Sequence, residues 1–254
     1  MLPDILVLMP AEIDRRKVVA IAGASSGSGR AMALHLASLG YPVAVCARRE
    51  APLRELAGQI QERGGRALEV RADMSVWAEA EGFVERVVRE YGRIDVLVNN
   101  AGWGVRAAGY TELALEEIRQ GVDVNLYTVL YGCRAALPHM KKQRSGHLIN
   151  VSSILGKRGR MNLAVYTACK HAVEGFSRAL LNEVNGFGVK VSVLAPAAIR
   201  TEWAAKAGFP LDPKIRVLEP EDLALVVQYL IETPKHFSIW NVDLMAIEQT
   251  INPL

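Results

Sequence analysis

Apolar residues fall along this chain in short unbroken blocks, separated by longer stretches in which apolar positions recur every three or four residues. The blocks lie at 18–22, 43–47, 67–71, 96–99, 147–151 and 189–194 and are dominated by Val, Ile, Leu and Ala. Such nearly continuous runs are what strands covered on both faces look like. Between them the pattern predicts helices starting near Ser28, Pro52, Ser75, Leu115 and Leu163. Pro52 suits a first helical position, where the missing N–H would have no partner, and Gly64 with Gly65 stop that helix before the third strand. The fourth and fifth strands are separated by enough chain for two helices, divided near Asn125. Strand, helix, strand at this spacing requires parallel pairing through right-handed crossovers. The prediction is a doubly wound α/β sheet with helices on both faces.

Composition narrows the picture. The 254 residues carry no internal repeat, no Pro- or Ser-rich linker and no compositional break beyond residue 17. A single domain is therefore expected over 17–254, behind an N-terminal extension or tail at 1–16. Half of the residues are apolar and 22% are charged, which excludes a disordered or collagen-like chain. The net charge of +3 is spread along the sequence, a poor footprint for nucleic acid. Cys46, Cys133 and Cys169 are far apart and show no zinc-ligand spacing, so neither a disulfide framework nor a metal is expected. Three separate thiols suit a reducing, cytoplasmic compartment. The apolar run at 5–9 follows Asp4 and precedes Arg15, Arg16 and Lys17, the reverse of a signal peptide's charge order. No run approaches the length needed to cross a bilayer, so no membrane partner is expected.

Chemistry enters at the first strand, which runs directly into Gly23-Ala24-Ser25-Ser26-Gly27-Ser28-Gly29 before a helix. Glycine permits a tight turn and lets backbone amides approach a pyrophosphate, while the helix N-terminus supplies partial positive charge. By itself such a turn also serves as a plain strand-to-helix joint. Four further motifs accompany it: Asn99-Asn100-Ala101-Gly102 after the fourth strand, Asn125, Ser152-Ser153, and Tyr166-Thr167-Ala168-Cys169-Lys170. In this order and spacing the chain resembles the short-chain dehydrogenase/reductases from Lys17 onward, the resemblance fading after Thr201. It implies a Rossmann-type sheet of seven mostly parallel strands, the last near 239–244. The implied activity is that of an NAD(P)-dependent oxidoreductase acting on carbonyls or alcohols.

Tyr166 and Lys170 are four apart on a helical stretch and so share one face. An ammonium beside a phenol favours the phenolate, and an oxidised nicotinamide adds positive charge, so the tyrosine pKa is expected to fall towards neutrality. The resemblance makes Ser153, thirteen residues before Tyr166, the serine that hydrogen-bonds the reacting oxygen. It makes Asn125 the residue that bends its helix and holds a water connecting Lys170 to solvent. It also places the cofactor against Gly23, Ser25, Ser26, Gly27, Ser28 and Gly29, against Asn99, Ala101 and Gly102, whose segment at the same time steadies the central sheet, against Tyr166 and Lys170, and against Pro196, Ile199 and Thr201. Asp73 resembles the residue that contacts adenine, and a helix-capping role before Ser75 is as consistent with its position.

The second strand ends Cys46-Ala47-Arg48-Arg49 and lacks the acidic residue that holds a ribose 2′-hydroxyl. Arg48 and Arg49 instead suit a 2′-phosphate, so the expected cofactor is NADP(H). Two positions depart from the family: Ala22 stands where Thr is usual, and Ala197 where Gly follows Pro196. If that glycine needs a positive φ, Ala197 strains the loop. The helices at 125–140 and 163–184 carry more apolar surface than one sheet face covers (Leu126, Val129, Leu130, Ala135 and Leu137; Val173, Phe176, Leu180 and Leu181). The family pairs these helices across a two-fold axis, which implies a homo-oligomer, tetramer or dimer. About twenty residues at 197–219 leave room for a modest cover, so the substrate is expected to be small to medium. Its lining would be Trp103, Leu155, Leu163 and Trp203. The run Lys157-Arg158-Gly159-Arg160 either steers an anionic substrate or forms a solvated rim. A catalytically silent nucleotide-binding scaffold is the alternative function, opposed by the presence of Asn125, Ser153, Tyr166 and Lys170.

Overall fold

The structure, a computed structural model, describes residues 14–103, 105–208, 211 and 214–249. Its centre is one sheet of seven strands: β1 (Val19–Ala22), β2 (Val43–Ala47), β3 (Ala67–Arg71), β4 (Val96–Asn99), β5 (Gly146–Val151), β6 (Val189–Pro196) and β7 (Asn241–Leu244). The order is β3-β2-β1-β4-β5-β6-β7 and every pairing is parallel. Eight helices occur among the described residues: α1 (Gly27–Ser38), α2 (Glu50–Glu62), α3 (Trp77–Tyr91), α4 (Leu115–Val122), α5 (Thr128–Gln143), α6 (Ala164–Val184), α7 (Glu202–Lys206) and α8 (Pro220–Glu232). None is long and apolar enough to cross a membrane.

The unbroken apolar runs have a direct cause. Successive side chains of a strand point to opposite faces, and both faces here are covered. Ala20 and Ala22 of β1 pack with Phe83 of α3, Val129 of α5 and Val173 of α6 in one core. Val19 and Ile21 pack with Met32 of α1, Leu53 of α2 and Leu223 of α8 in the other. The chain leaves β3 at one edge and returns as β4 on the far side of β1. That reversal of strand order opens a crevice at the carboxyl ends of β1 and β4, where ligands of such sheets bind.

Element boundaries differ from the sequence expectation for local reasons. Pro52 is the third residue of α2, not the first, still within the turn whose N–H groups have no intrahelical acceptor. The helix expected near Ser75 starts at Trp77, because Asp73 first captures Ser75 N at 2.9 Å and Ser75 Oγ at 2.6 Å. No break divides α4 from α5; a π-helical turn, Asp123–Tyr127, joins them with Asn125 inside it. Helix α7 falls within the expected cover at 197–219 and had no periodic signal of its own. Of the N-terminal extension, 1–13 lies outside the described residues.

Asn99 belongs to the fold. Its Nδ2 donates to Asn150 Oδ1 at 2.8 Å, and Asn150 Nδ2 donates to Ser177 Oγ at 2.9 Å, tying β4, β5 and α6 together in the core. A Cβ at Gly132 would lie 2.1 Å from Asn99 Oδ1, so only glycine lets α5 pack there.

At the start of β5, His147 is buried with its Nε2 2.7 Å from Ser192 Oγ, which itself donates to Ile239 O. Burial, with Lys190 and Lys17 nearby, pushes the imidazole pKa from 6.5 down to about 3. Its contribution to stability is complete above about 6.5 and is lost as pH falls towards 3, because only the unfolded chain takes up the proton readily. The urea midpoint should therefore drop between pH 7 and pH 5, and His147→Asn should flatten that drop. An unchanged slope in the variant would contradict this assignment.

Candidate active site

The carboxyl ends of the central strands open into a cavity of about 810 Å³, within the size range of cofactor and substrate sites. Its floor is the glycine turn. Gly23 and Gly27 have φ of +75° and +55°, values that side chains rarely adopt. Gly29 serves by its close approach: a Cβ there would lie 2.3 Å from Gly23 O, so α1 seats directly on the turn. Gly29 itself does not line the cavity, and neither does Asn99. The hydroxyl missing at Ala22 is not needed to brace the turn, since Asn100 Nδ2 donates to Gly23 O at 3.2 Å and Gly23 N donates to Cys46 O at 2.9 Å. Sequence reasoning chose Asn99 from the Asn-Asn pair. Asn100 is the one that lines the cavity.

The turn presents donors to this space. Helix α1 begins at Gly27 with no side-chain cap from Ser26 and no acidic residue in its first turn. Its amides and partial positive charge are therefore left for an anion. Beside them Arg49 Nη2 donates to Ser25 Oγ at 3.1 Å and to Ser26 Oγ at 2.7 Å. The Arg48 Nη1 atom is 3.8 Å from Asp73 Oδ2, and its guanidinium lies 5.9 Å from the Trp103 ring centroid. Asp73 thus holds the turn before α3, whose N-cap is Val76, and also lines the cavity. An uncapped helix start, two hydroxyls and two guanidiniums form a donor set that fits the phosphates of a dinucleotide.

The opposite wall holds Ser153, Tyr166, Lys170 and Asn125. Ser153 follows β5, accepts from Leu155 N at 3.2 Å and donates to Pro196 O at 3.4 Å. Its neighbour Ser152 is occupied elsewhere, donating to Lys170 O at 3.3 Å. Lys170 is buried, with Nζ donating to Val151 O at 2.9 Å and lying 5.5 Å from the Tyr166 ring centroid. Asn125 Nδ2 donates to Trp103 O and Gly121 O, each at 3.0 Å, and its Oδ1 accepts from Trp103 N at 3.3 Å. A Cβ at Gly102 would lie 3.3 Å from Asn125 Oδ1 and 3.9 Å from Lys170 Nζ, so both groups close around that glycine.

Electrostatics depart from the sequence expectation. Burial pushes the Tyr166 phenol up to about 12, with a hydrogen bond with Ser153 pulling the other way. Burial pushes Lys170 down to about 8, opposed by Cys169 and Glu174. Desolvation is the largest influence on both groups, and the Lys170 ammonium donates to Val151 O at 2.9 Å.

Trp203 of α7 covers this wall, its ring centroid 4.9 Å from that of Tyr166 at an interplanar angle of 53°. Trp103, Leu155 and Leu163 line the same space, joined by Leu211, which no sequence signal marked. Pro196, Ile199 and Thr201 line the rim. Among the described residues, only Arg144 and Asn162 combine a side chain with positive φ, so Ala197 carries no strain. The cationic run is divided by the fold. Lys157 pairs with Asp243 and Asn241 of β7, and of that run only Arg160 lines the cavity.

Comparison with known proteins agrees with this geometry. A family model described as short chain dehydrogenase matches residues 17–209. An uncharacterized oxidoreductase of Staphylococcus saprophyticus is 33% identical over 232 residues, covering 91% of this chain and 97% of its own length. An alcohol dehydrogenase from the archaeon Thermococcus sibiricus, complexed with 5-hydroxy-NADP, is similar with a TM-score of 0.85 and 30% identity, over 93% of this chain and 99% of that one. The 3-ketoacyl-(acyl-carrier-protein) reductase from Brucella melitensis, complexed with NADH, has a TM-score of 0.83 and 32% identity, over 90% and 96% of the two chains.

Proposed function

The chain belongs to the short-chain dehydrogenase family, and on that premise we propose that it is an NADP(H)-dependent oxidoreductase interconverting a carbonyl and an alcohol. The observation that carries this reading is the convergence of Ser153, Tyr166, Lys170 and Asn125 on one wall of a cavity whose floor is an uncapped helix start. When bound, the nicotinamide supplies or accepts the hydride. The α1 amides with Ser25 and Ser26 hold the phosphates, and Arg48 and Arg49 select the 2′-phosphate. Relatives bind NADP or NADH, so the choice rests on this chain's own residues, where Ala47 replaces an acidic side chain.

Ser153 hydrogen-bonds the substrate oxygen, and Tyr166 donates a proton to it. A phenol raised to about 12 stays protonated at neutral pH and is ready to give that proton during reduction. The Lys170 ammonium then stabilises the phenolate left behind. Asn125 anchors the Trp103 backbone beside the lysine and holds the route by which a proton returns from solvent. Trp103, Leu155, Leu163 and Trp203 make an apolar pocket for a small to medium carbonyl compound. Since Lys157 is tied to β7 and only Arg160 of the cationic run lines the cavity, a hydrophobic body is the favoured substrate. The whole of 17–254 acts as one catalytic domain.

We also propose a homo-oligomer. Val129, Ala135, Val173 and Leu180 are absorbed by the core, whereas Leu126, Leu130, Leu137, Phe176 and Leu181 are only partly buried. This smaller apolar strip would be covered by a second copy across a two-fold axis.

A screen of NADPH oxidation over aldehydes, keto acids, sugars and cyclic ketones tests the activity; cofactor binding without turnover of any of them would favour a silent scaffold. With a substrate in hand, Tyr166→Phe should lower turnover by roughly two orders of magnitude or more while leaving NADPH binding nearly unchanged. Near-normal turnover would reject the role. Replacing Arg48 by Asp should cut the preference for NADPH over NADH by about tenfold or more, the worth of a charged hydrogen bond; steady-state kcat/KM with both cofactors reads this. Light scattering at micromolar concentration should return a multiple of the 27.8 kDa chain mass, and a monomer would remove the oligomer proposal.

A further inference from the structure

Glu174 lies one helical turn beyond Lys170 on α6 and is only 6% exposed. A buried carboxylate is costly unless its oxygens are paired or a countercharge is near. Its Oε2 accepts from Asn241 Nδ2 at 2.9 Å, whereas Oε1 is buried without a hydrogen-bond partner. Asn241 opens β7, and its own Oδ1 accepts from Lys157 Nζ at 2.5 Å. That cation decides which way the amide faces. A flipped Asn241 would aim its carbonyl oxygen at the Glu174 carboxylate and its NH2 at an ammonium, so Lys157 locks the donor towards Glu174. The loop after Ser153 presses on the same turn of α6: a Cβ at Gly156 would lie 2.9 Å from Lys170 O and 3.0 Å from Glu174 Cγ.

Four residues before Glu174 on the same helix, and so on the same face, is the cation Lys170, also buried. On α6 the Tyr166 ring lies beside it, and Cys169 and Glu174 act on it through their charge; β5 offers the Val151 carbonyl, and the π-helical turn offers Asn125, which carries no charge. Asp243 of β7 and Lys157 of the loop after β5 pair with each other. Burial raises the Cys169 thiol, which keeps it neutral. Glu174 remains as the negative charge that opposes the desolvation of Lys170.

We propose that Glu174, oriented by Asn241 and Lys157, is a positioning residue that keeps the Lys170 ammonium charged inside the site. This rests on the reading of Lys170 as the partner of Tyr166. It explains why a carboxylate oxygen without a hydrogen-bond partner is tolerated beside a catalytic wall. Two opposite charges buried one turn apart compensate each other through a medium of low dielectric constant.

The test replaces Glu174 by Gln, which keeps the shape and an acceptor for Asn241 and removes only the charge. Isotope-labelled lysines followed by NMR report the Lys170 titration directly, the signal being identified by its loss in Lys170→Arg. In Glu174→Gln the midpoint should fall below about 8 by roughly half a unit or more. The alkaline limb of kcat/KM for carbonyl reduction should move down with it, and Glu174→Asp, which retains the charge, should restore most of the shift. A lower melting temperature with an unmoved Lys170 midpoint would make Glu174 merely structural and overturn the proposal. Should the Gln variant fail to fold, the wild-type protein decides. Its Lys170 signal must carry a second inflection where the Glu174 carboxyl signal titrates, and a single inflection overturns the proposal. The midpoint is read without turnover, so absence of reductase activity would sink the functional reading and leave this measurement standing.

Discussion

The arrangement of this site depends on one close approach of backbone to backbone. Helix α1 starts so near the end of β1 that any side chain at Gly29 would collide with the Gly23 carbonyl, 2.3 Å from the position of its Cβ. That contact aims the helix start into the cavity and leaves its amides without a capping side chain. The same carbonyl is held by Asn100 from the end of β4. The two strands that bound the crevice are thereby locked to each other at the point where a phosphate would sit. A substitution that pushed α1 away would disperse the anion site even with every polar side chain intact.

Across the cavity the controlling influence is desolvation. Tyr166 and Lys170 were placed on one face by helical spacing, and that spacing alone argues for mutual attraction and a lowered phenol. The structure moves the two groups in opposite senses, phenol up and ammonium down, because both have left water. Attraction between them is realised only when charge appears on the phenol oxygen. On the proposed mechanism this suits a group that holds its proton until a carbonyl oxygen is ready to take it. The environment of the lysine is then set by groups outside the Tyr-x-x-x-Lys motif, the Val151 carbonyl of β5 and the Glu174 charge one turn along α6.

Several details show where linear reasoning stops. Asn99 and Asn100 are adjacent and chemically identical, yet one enters the core and the other the cavity, since alternate residues of a strand end face opposite ways. Lys157, Arg158 and Arg160 form a charge run in the sequence, yet Lys157 is drawn to Asp243, 86 residues away along the chain. Ala197 had the look of a strained substitution; its N donates to Leu244 O at 2.8 Å in an ordinary conformation.

The sequence by itself determined the alternation of strands and helices, the parallel sheet, the glycine turn and the set of side chains brought to the cavity wall. Those features are local or periodic: strand runs read from unbroken apolar blocks, helices from their spacing, and motifs from residues a few positions apart. Only the tertiary structure decided the bracing of the turn by Asn100, the π-helical join at Asn125, the cover of Trp203 over Tyr166, the direction of the two pKa shifts and the chain from Lys157 through Asn241 to Glu174. Each of these depends on which distant segment arrives next to a given side chain and how much water it excludes. Burial and long-range pairing have no signature in the order of residues; they exist once the sheet has brought its strands together.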